Sequence, residues 1–128
     1  MSRTGLRSVA LCSAWLLCAA PGGPARARAA PVDFNREVRP VLAESCYRCH
    51  GPDRARRKAG LRLDTAEGAT ADLGDGKRAV VPGRPDQSEL IRRITSADEA
   101  RRMPPPRSGH KLTPGQIGAL RRWVEQGA

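Results

Sequence analysis

The chain has 128 residues, enough for one domain, and its 23 lysine and arginine residues against 13 acidic ones give a formal net charge of +10. Proteins that bind single-stranded nucleic acid place stacking aromatic side chains among basic residues. With two tryptophans, one tyrosine and one phenylalanine in the whole chain, we expect no nucleic-acid partner. The positive charge is either a solvated surface or an attraction for acidic proteins.

Residues 1–29 predict a signal peptide. Arginines near the start are followed by an apolar run over residues 9–20 and by Ala-Arg-Ala at residues 27–29, a small-x-small cleavage site. The apolar run is shorter than the roughly 20 residues that a membrane-spanning helix needs. We therefore expect cleavage, and an exported domain at residues 30–128, periplasmic or otherwise extracytoplasmic, with no stable membrane span.

Cleavage after residue 29 would change the cysteine count, the net charge and the number of aromatic residues. The cysteines fall from four to two, and the charge falls from +10 to +6 because four arginines lie in the removed segment. Three aromatic residues remain, Phe34, Tyr47 and Trp123, which is few for filling the core of a domain of this size. A buried apolar cofactor would supply the missing bulk.

An apolar stripe with helical spacing opens the mature chain, and it consists of Phe34, Val38, Val41 and Leu42. Asp33 is placed to cap the start of this helix. Pro40 is expected to kink the helix or to restart it at Val41. The stripe leads directly into Cys46.

Residues 46–50, Cys-Tyr-Arg-Cys-His, have the spacing of covalent c-type haem attachment. Cys46 and Cys49 would bind one haem c, and His50 would be the proximal axial ligand of its iron. We call these five residues the haem motif. It occurs once, which predicts one haem per chain.

Three other interpretations of the haem motif remain open, and the last of them is a chance match of the spacing. A CxxC pair can act as a redox dithiol, although such pairs normally accompany a βαβ pattern that is missing here. A structural zinc site needs four ligands, and the mature chain offers only Cys46, Cys49, His50 and the distant His110.

The middle of the chain predicts short elements separated by turns. In order, these are an exposed basic loop at 51–58, a brief extended segment at 60–64, helical turns at 65–71, a turn at 74–77, an apolar stretch at 79–81, and a helix over 89–94 capped by Ser88.

Met103 is the single methionine of the mature chain and precedes three prolines. Proline favours extended backbone, so the thioether would be held on a stiff, non-helical support. Methionine is a usual second axial ligand of haem iron, which makes Met103 the candidate distal ligand. His110 is the rival ligand, an open sixth position is the third possibility, and a gap-filling core methionine is the structural alternative.

The last segment predicts a helix that begins with Thr113 as cap and Pro114 in its first turn. Its apolar stripe is Ile117, Leu120, Trp123 and Val124, and Gly127 marks its end. We expect this helix to pack on the first one and to close over the haem edge.

Taken together, these residues resemble the planctomycete cytochrome c domain, a mono-haem module near the N-terminus of exported proteins. The stretches that carry the resemblance cover nearly all of the mature chain: 34–42, 46–53, 58–64, 81–85, 88–94, 102–106 and 112–127.

The resemblance implies an all-α, cytochrome c-like small helical domain, wrapped around one covalent haem and with long irregular loops. It also implies His50 and Met103 as axial ligands. Members of the family usually continue into larger exported domains, so the chain is expected to be either a free-standing module or the front of a longer protein.

Three functional hypotheses follow. The first is an electron-transfer module without enzymatic activity, which exchanges single electrons with redox partner proteins. The second is the haem domain of a larger oxidoreductase or peroxidase-like enzyme, which would need an open coordination site or a fused catalytic domain. The third is a periplasmic dithiol or metal-binding module.

Overall fold

The computed structural model describes residues 29–128, so nearly all of the predicted signal peptide lies outside the described residues. Within them the chain is helical and forms no strand, apart from one isolated bridge between Asp72 and Arg78. The α-helices are α1 (Arg39–Ser45), α2 (Tyr47–His50), α3 (Ala66–Thr70), α4 (Glu89–Ile94) and α5 (Pro114–Glu125). A π-helical turn (Phe34–Val38) and two 3₁₀ turns (Pro85–Gln87, Pro106–Ser108) complete the set. The predicted all-α class is confirmed.

The first helical segment is built as its sequence predicts. The Asp33 carboxylate accepts hydrogen bonds from the backbone N–H groups of Asn35 (3.0 Å) and Arg36 (3.1 Å) and so caps the π-helical turn. The helix restarts at Arg39, which places Pro40 in the first turn of α1, where a missing N–H leaves no broken bond. The restart is confirmed, two residues earlier than expected.

Helix α5 also begins where the sequence predicts. The Thr113 hydroxyl accepts from the backbone N–H of Gln116 (3.2 Å), and the Gln116 side chain accepts from the backbone N–H of Thr113 (2.8 Å). This reciprocal capping box satisfies two donors that the helix itself cannot. Leu120 and Val124 are fully buried on its apolar face.

Helix α5 packs against the first helical segment, as expected. The rings of Phe34 and Trp123 lie 5.6 Å apart between centroids, and Arg122 forms an ion pair with Glu37 at 3.3 Å. The Gln126 side chain accepts a hydrogen bond from the backbone N–H of Val32 (2.7 Å). The two ends of the domain are therefore held together by apolar, charged and backbone contacts.

One core joins these helices. It contains buried apolar residues from every part of the described chain: Val38, Val41, Leu42, Cys46, Leu63, Ala69, Ala79, Val80, Leu90, Ile91, Ile94, Leu112, Leu120 and Val124. The presence of Cys46 in this set means that the first cysteine of the haem motif is part of the hydrophobic core. No helix among residues 29–128 has the length and hydrophobicity to cross a membrane.

Ser88 departs from its prediction. It precedes α4 as expected, but its side chain makes no capping bond to that helix. The hydroxyl is buried, accepts from the backbone N–H of Val81 (2.8 Å) and donates to the carbonyl of Arg84 (3.0 Å). The predicted side-chain cap is wrong because the hydroxyl is engaged by backbone groups of the turn at residues 81–84 instead.

Candidate functional site

The haem motif continues the first helical segment with a change of direction at Cys46. The backbone N–H of Cys46 donates to the carbonyl of Leu42 (2.8 Å), and the N–H of His50 donates to the carbonyl of Cys46 (2.8 Å). The short helix α2 that follows carries Cys49 and His50. The three predicted haem-binding residues thus follow α1 directly in the chain, Cys46 at the start of α2 and Cys49 and His50 within it.

The two cysteines lie in different environments, and both are free thiols. Cys46 is buried and Cys49 is exposed. Burial raises the pKa of the Cys46 thiol to about 11, so this side chain keeps its proton at neutral pH. Redox dithiols and metal-binding cysteines depend on thiolates, which sites of lowered pKa provide. The environment of Cys46 therefore disfavours the redox-dithiol interpretation.

The imidazole of His50 is half-buried, and its Nδ1 atom is buried without a hydrogen-bond partner. Burial lowers the pKa of His50, while the backbone of Lys58 acts in the opposite direction. A histidine with a lowered pKa is neutral at pH 7, and the neutral imidazole is the form that binds a metal. The neutral imidazole and the neighbouring thiols fit a covalently held haem, with Nε2 as the nitrogen left for iron because Nδ1 is buried.

Residues 51–63, which we call the motif loop, run back along the haem motif. The backbone N–H of Lys58 donates to the carbonyl of Cys49, and that of Leu63 donates to the carbonyl of His50, both at 2.8 Å. The carbonyls at the end of α2 have no helical partners. The motif loop supplies hydrogen-bond donors for two of these carbonyls, those of Cys49 and His50, and so holds the haem motif in place.

Gly51 allows the chain to enter the motif loop directly after His50. A Cβ atom at this position would lie 2.3 Å from the carbonyl oxygen of Tyr47, closer than any side chain can approach. Glycine is therefore required by space, although its φ of −128° is open to other residues. The sequence predicted an exposed loop from residue 51, whereas Gly51 itself is buried against Tyr47.

Met103 and His110 line one cavity of about 650 Å³ between α4, α5 and residues 102–112, which we call the cavity loop. Ile94, Leu112 and Ile117 supply its apolar wall. Met103 lies on non-helical backbone, as predicted, and its N–H donates to the carbonyl of Arg93 at the end of α4 (3.1 Å). The structure thus brings both candidate sixth ligands to one cavity, whose wall does not include the haem motif.

Within residues 29–128, no three histidine, cysteine, aspartate or glutamate side chains come together as a metal site.

Arg57 is a residue of the site that the sequence did not reveal. It lies in a row of basic residues predicted to be exposed, yet it is half-buried and contacts the backbone that follows His50. Nothing in the row of arginines distinguishes it from its neighbours.

Comparison with known proteins gives one match. Residues 46–107 match the family model described as Planctomycete cytochrome C. The matched segment begins at Cys46 and contains Met103, while His110 lies beyond its end. The resemblance predicted from the sequence is confirmed over this segment. No curated protein and no solved structure matches the chain.

Proposed function

From the match of residues 46–107 to the Planctomycete cytochrome C family, we propose that the protein is an exported c-type cytochrome module that transfers single electrons through one covalently bound haem c. The observation that carries the proposal is the haem motif itself. Its first cysteine belongs to the hydrophobic core, and its histidine has a buried, unsatisfied nitrogen. The motif is therefore fixed in place rather than displayed on a mobile loop.

Each residue of the haem motif has a distinct role in this proposal. Bound haem c supplies an iron that alternates between ferric and ferrous states. Cys46 and Cys49 retain the haem through thioether bonds, Cys46 from inside the core and Cys49 at the surface. His50 would hold the iron through Nε2, because its Nδ1 is buried.

Met103 is proposed as the distal ligand, with His110 as the rival. Both line the same cavity, but only Met103 lies inside the segment that matches the family. The backbone of Met103 is bonded to α4, whereas the N–H of His110 is bonded to the side chain of Ser108 in the same loop (3.2 Å). A ligand anchored to a helix needs less ordering when it binds. A filled sixth position favours electron transfer over peroxidase chemistry.

A basic surface beside Cys49 supports an acidic redox partner. Arg48, Arg54 and Lys58 are exposed and belong to none of the ion pairs found in residues 29–128. Arg48 adjoins Cys49 in the chain and the backbone of Lys58 is bonded to that of Cys49 (2.8 Å), so two of these residues lie beside the exposed cysteine. Such a surface steers an acidic protein toward this end, and the attraction weakens with salt.

The test is to express the protein in cells that mature c-type cytochromes and to measure haem by the pyridine haemochrome spectrum. We expect one covalently bound c-type haem per chain and no titratable thiol. Cys49→Ala is the matched variant, because Cys49 is exposed and its replacement leaves the core intact. It should retain haem through one thioether, with a shifted spectrum. A folded wild-type protein without haem would overturn the proposal.

A further inference from the structure

We propose that the C-terminal end of α5 is a binding site for the N-terminus of the processed chain: the Gln126 side chain holds the backbone on both sides of Pro31, and the Glu125 carboxylate receives the α-ammonium group of Ala30. The inference rests on the proposed function, because export supplies the cleavage that creates this amine. It assigns a ligand to two side chains that the haem site does not use.

The first observation is the pair of hydrogen bonds that the Gln126 amide makes. Its Nε2 donates to the carbonyl of Ala30 (3.1 Å), and its Oε1 accepts from the backbone N–H of Val32 (2.7 Å). In a parallel β-ladder, a residue likewise bonds the carbonyl before and the N–H after the residue opposite it. The Gln126 amide therefore takes the place of a residue of a neighbouring strand. Pro31, which lacks an N–H, loses no bond in the central position.

The second observation is that the bound segment is suited to this contact. A residue that precedes proline is restricted to extended backbone, so Pro31 limits Ala30 to the conformation that a strand-like contact needs. Val32 packs against the hydrophobic core, and Asp33 caps the helical turn that follows. The segment is thus anchored at its inner end, and little conformational freedom is left to lose when the Gln126 amide binds it.

The third observation is the position of the peptide bond between Ala29 and Ala30. Ala29 and Pro31, on either side of Ala30, line one cavity of about 440 Å³ with Glu125 and Gln126. This bond is the predicted cleavage site, after Ala-Arg-Ala at residues 27–29. When a signal peptidase hydrolyses it, water supplies the oxygen of the new Ala29 carboxylate and the protons of the new Ala30 ammonium group, which is the main form at neutral pH. Cleavage therefore places a positive charge beside Glu125.

The surroundings of this amine favour its charged form. Glu125 is exposed, and its Oε1 pairs with Nε of Arg121 at 3.3 Å. Arg121 is shared with Asp86, which it contacts at 2.7 Å. Oε2 of Glu125 is left to accept from a second cation. The C-terminal end of a helix also carries partial negative charge, which attracts an ammonium group.

The consequence is protection of the processed N-terminus. An aminopeptidase must bind the terminal ammonium group and the backbone of the first residues. In this structure the carbonyl of Ala30 and the N–H of Val32 are already bonded to Gln126. The docked terminus therefore has to detach before an aminopeptidase can remove Ala30.

The first experiment uses the exported, haem-loaded protein. Its intact mass should show that the chain begins at Ala30. The protein is then incubated with an aminopeptidase that accepts an Ala-Pro terminus, beside Gln126→Ala and the control Gln87→Ala, which replaces an exposed glutamine outside this site. Gln126→Ala should be trimmed about fivefold faster than the wild type, the factor expected for the loss of one net hydrogen bond. Gln87→Ala should be trimmed at the wild-type rate.

Acylation of the α-amine at pH 7 tests the contact with Glu125. In Glu125→Gln the amine should react about threefold faster than in the wild type, because the carboxylate favours the protonated, unreactive form. Glu67→Gln makes the same change at an exposed residue of α3 and should leave the rate unchanged.

Three results would overturn this inference alone. They are equal trimming of the two glutamine variants, equal acylation of the two glutamate variants, and an exported, haem-loaded protein that begins at another residue. A chain that is neither exported nor loaded with haem would overturn the proposed function first.

Discussion

The haem motif and the cavity loop carry the two halves of the proposed iron site, and they are built differently. The haem motif belongs to a helical segment, has Cys46 in the core, and is bonded to the motif loop at Cys49 and His50. The cavity loop is irregular, and its candidate ligands Met103 and His110 are only partly buried. The haem motif is thus held by backbone bonds on both sides, whereas the candidate sixth ligands lie on a proline-rich loop with fewer constraints.

Glycine substitutions test this difference most strongly. Gly51→Ala places a Cβ against the backbone oxygen of Tyr47 and should destabilise the protein by about 3 kcal/mol. Gly109→Ala in the cavity loop meets no atom within 4 Å and pays only for its φ of +77°, about 1 kcal/mol. Urea unfolding of both variants measures the two costs. Equal costs would mean that the haem motif is no more constrained than the cavity loop.

Thiol labelling tests whether the haem motif is partly buried before haem is attached. With a pKa of about 11 against an ordinary 9.0, the thiolate fraction of Cys46 at pH 8 is about 100-fold below that of a free cysteine. In haem-free protein an alkylating reagent should therefore modify the exposed Cys49 first. The rate at Cys46 should keep rising with pH until about 11. Equal labelling of the two thiols at pH 8 would contradict the burial of Cys46.

The sequence predicts the parts of this fold that depend on neighbours along the chain. The Asp33 cap, a helix restart next to Pro40 and the Thr113 cap follow from local geometry, and the structure confirms them. The contacts of Ser88 and Arg57 do not follow, because each depends on where a distant turn or loop passes. The spacing of the haem motif is visible in the sequence, but the backbone hydrogen bonds that join it to the motif loop are not.

Met103→Ala tests whether the methionine of the cavity loop is the sixth ligand of the iron. If Met103 binds the iron, the variant should lose the weak near-infrared band that marks sulfur bound to ferric iron, and its reduction potential should fall because a thioether favours ferrous iron. Covalent haem content should stay at one per chain, since the haem motif is unchanged. An unchanged near-infrared spectrum would move the sixth ligand to His110 or leave the position open.

His110→Ala should have the smallest effect, and it separates the two candidates of the cavity. His110 lies in the wall beside Met103, but its backbone is held within its own loop, so moving it to the iron would require that loop to rearrange. We expect the spectrum and the potential of His110→Ala to equal those of the wild type.

In the Met103→Ala background, however, His110 is the one histidine in the cavity wall that could bind the open position. The double variant should then differ from Met103→Ala alone, most clearly in losing the low-spin ferric spectrum that two nitrogen ligands produce. Identical spectra of the single Met103 variant and the double variant would show that the cavity loop does not bring His110 to the iron.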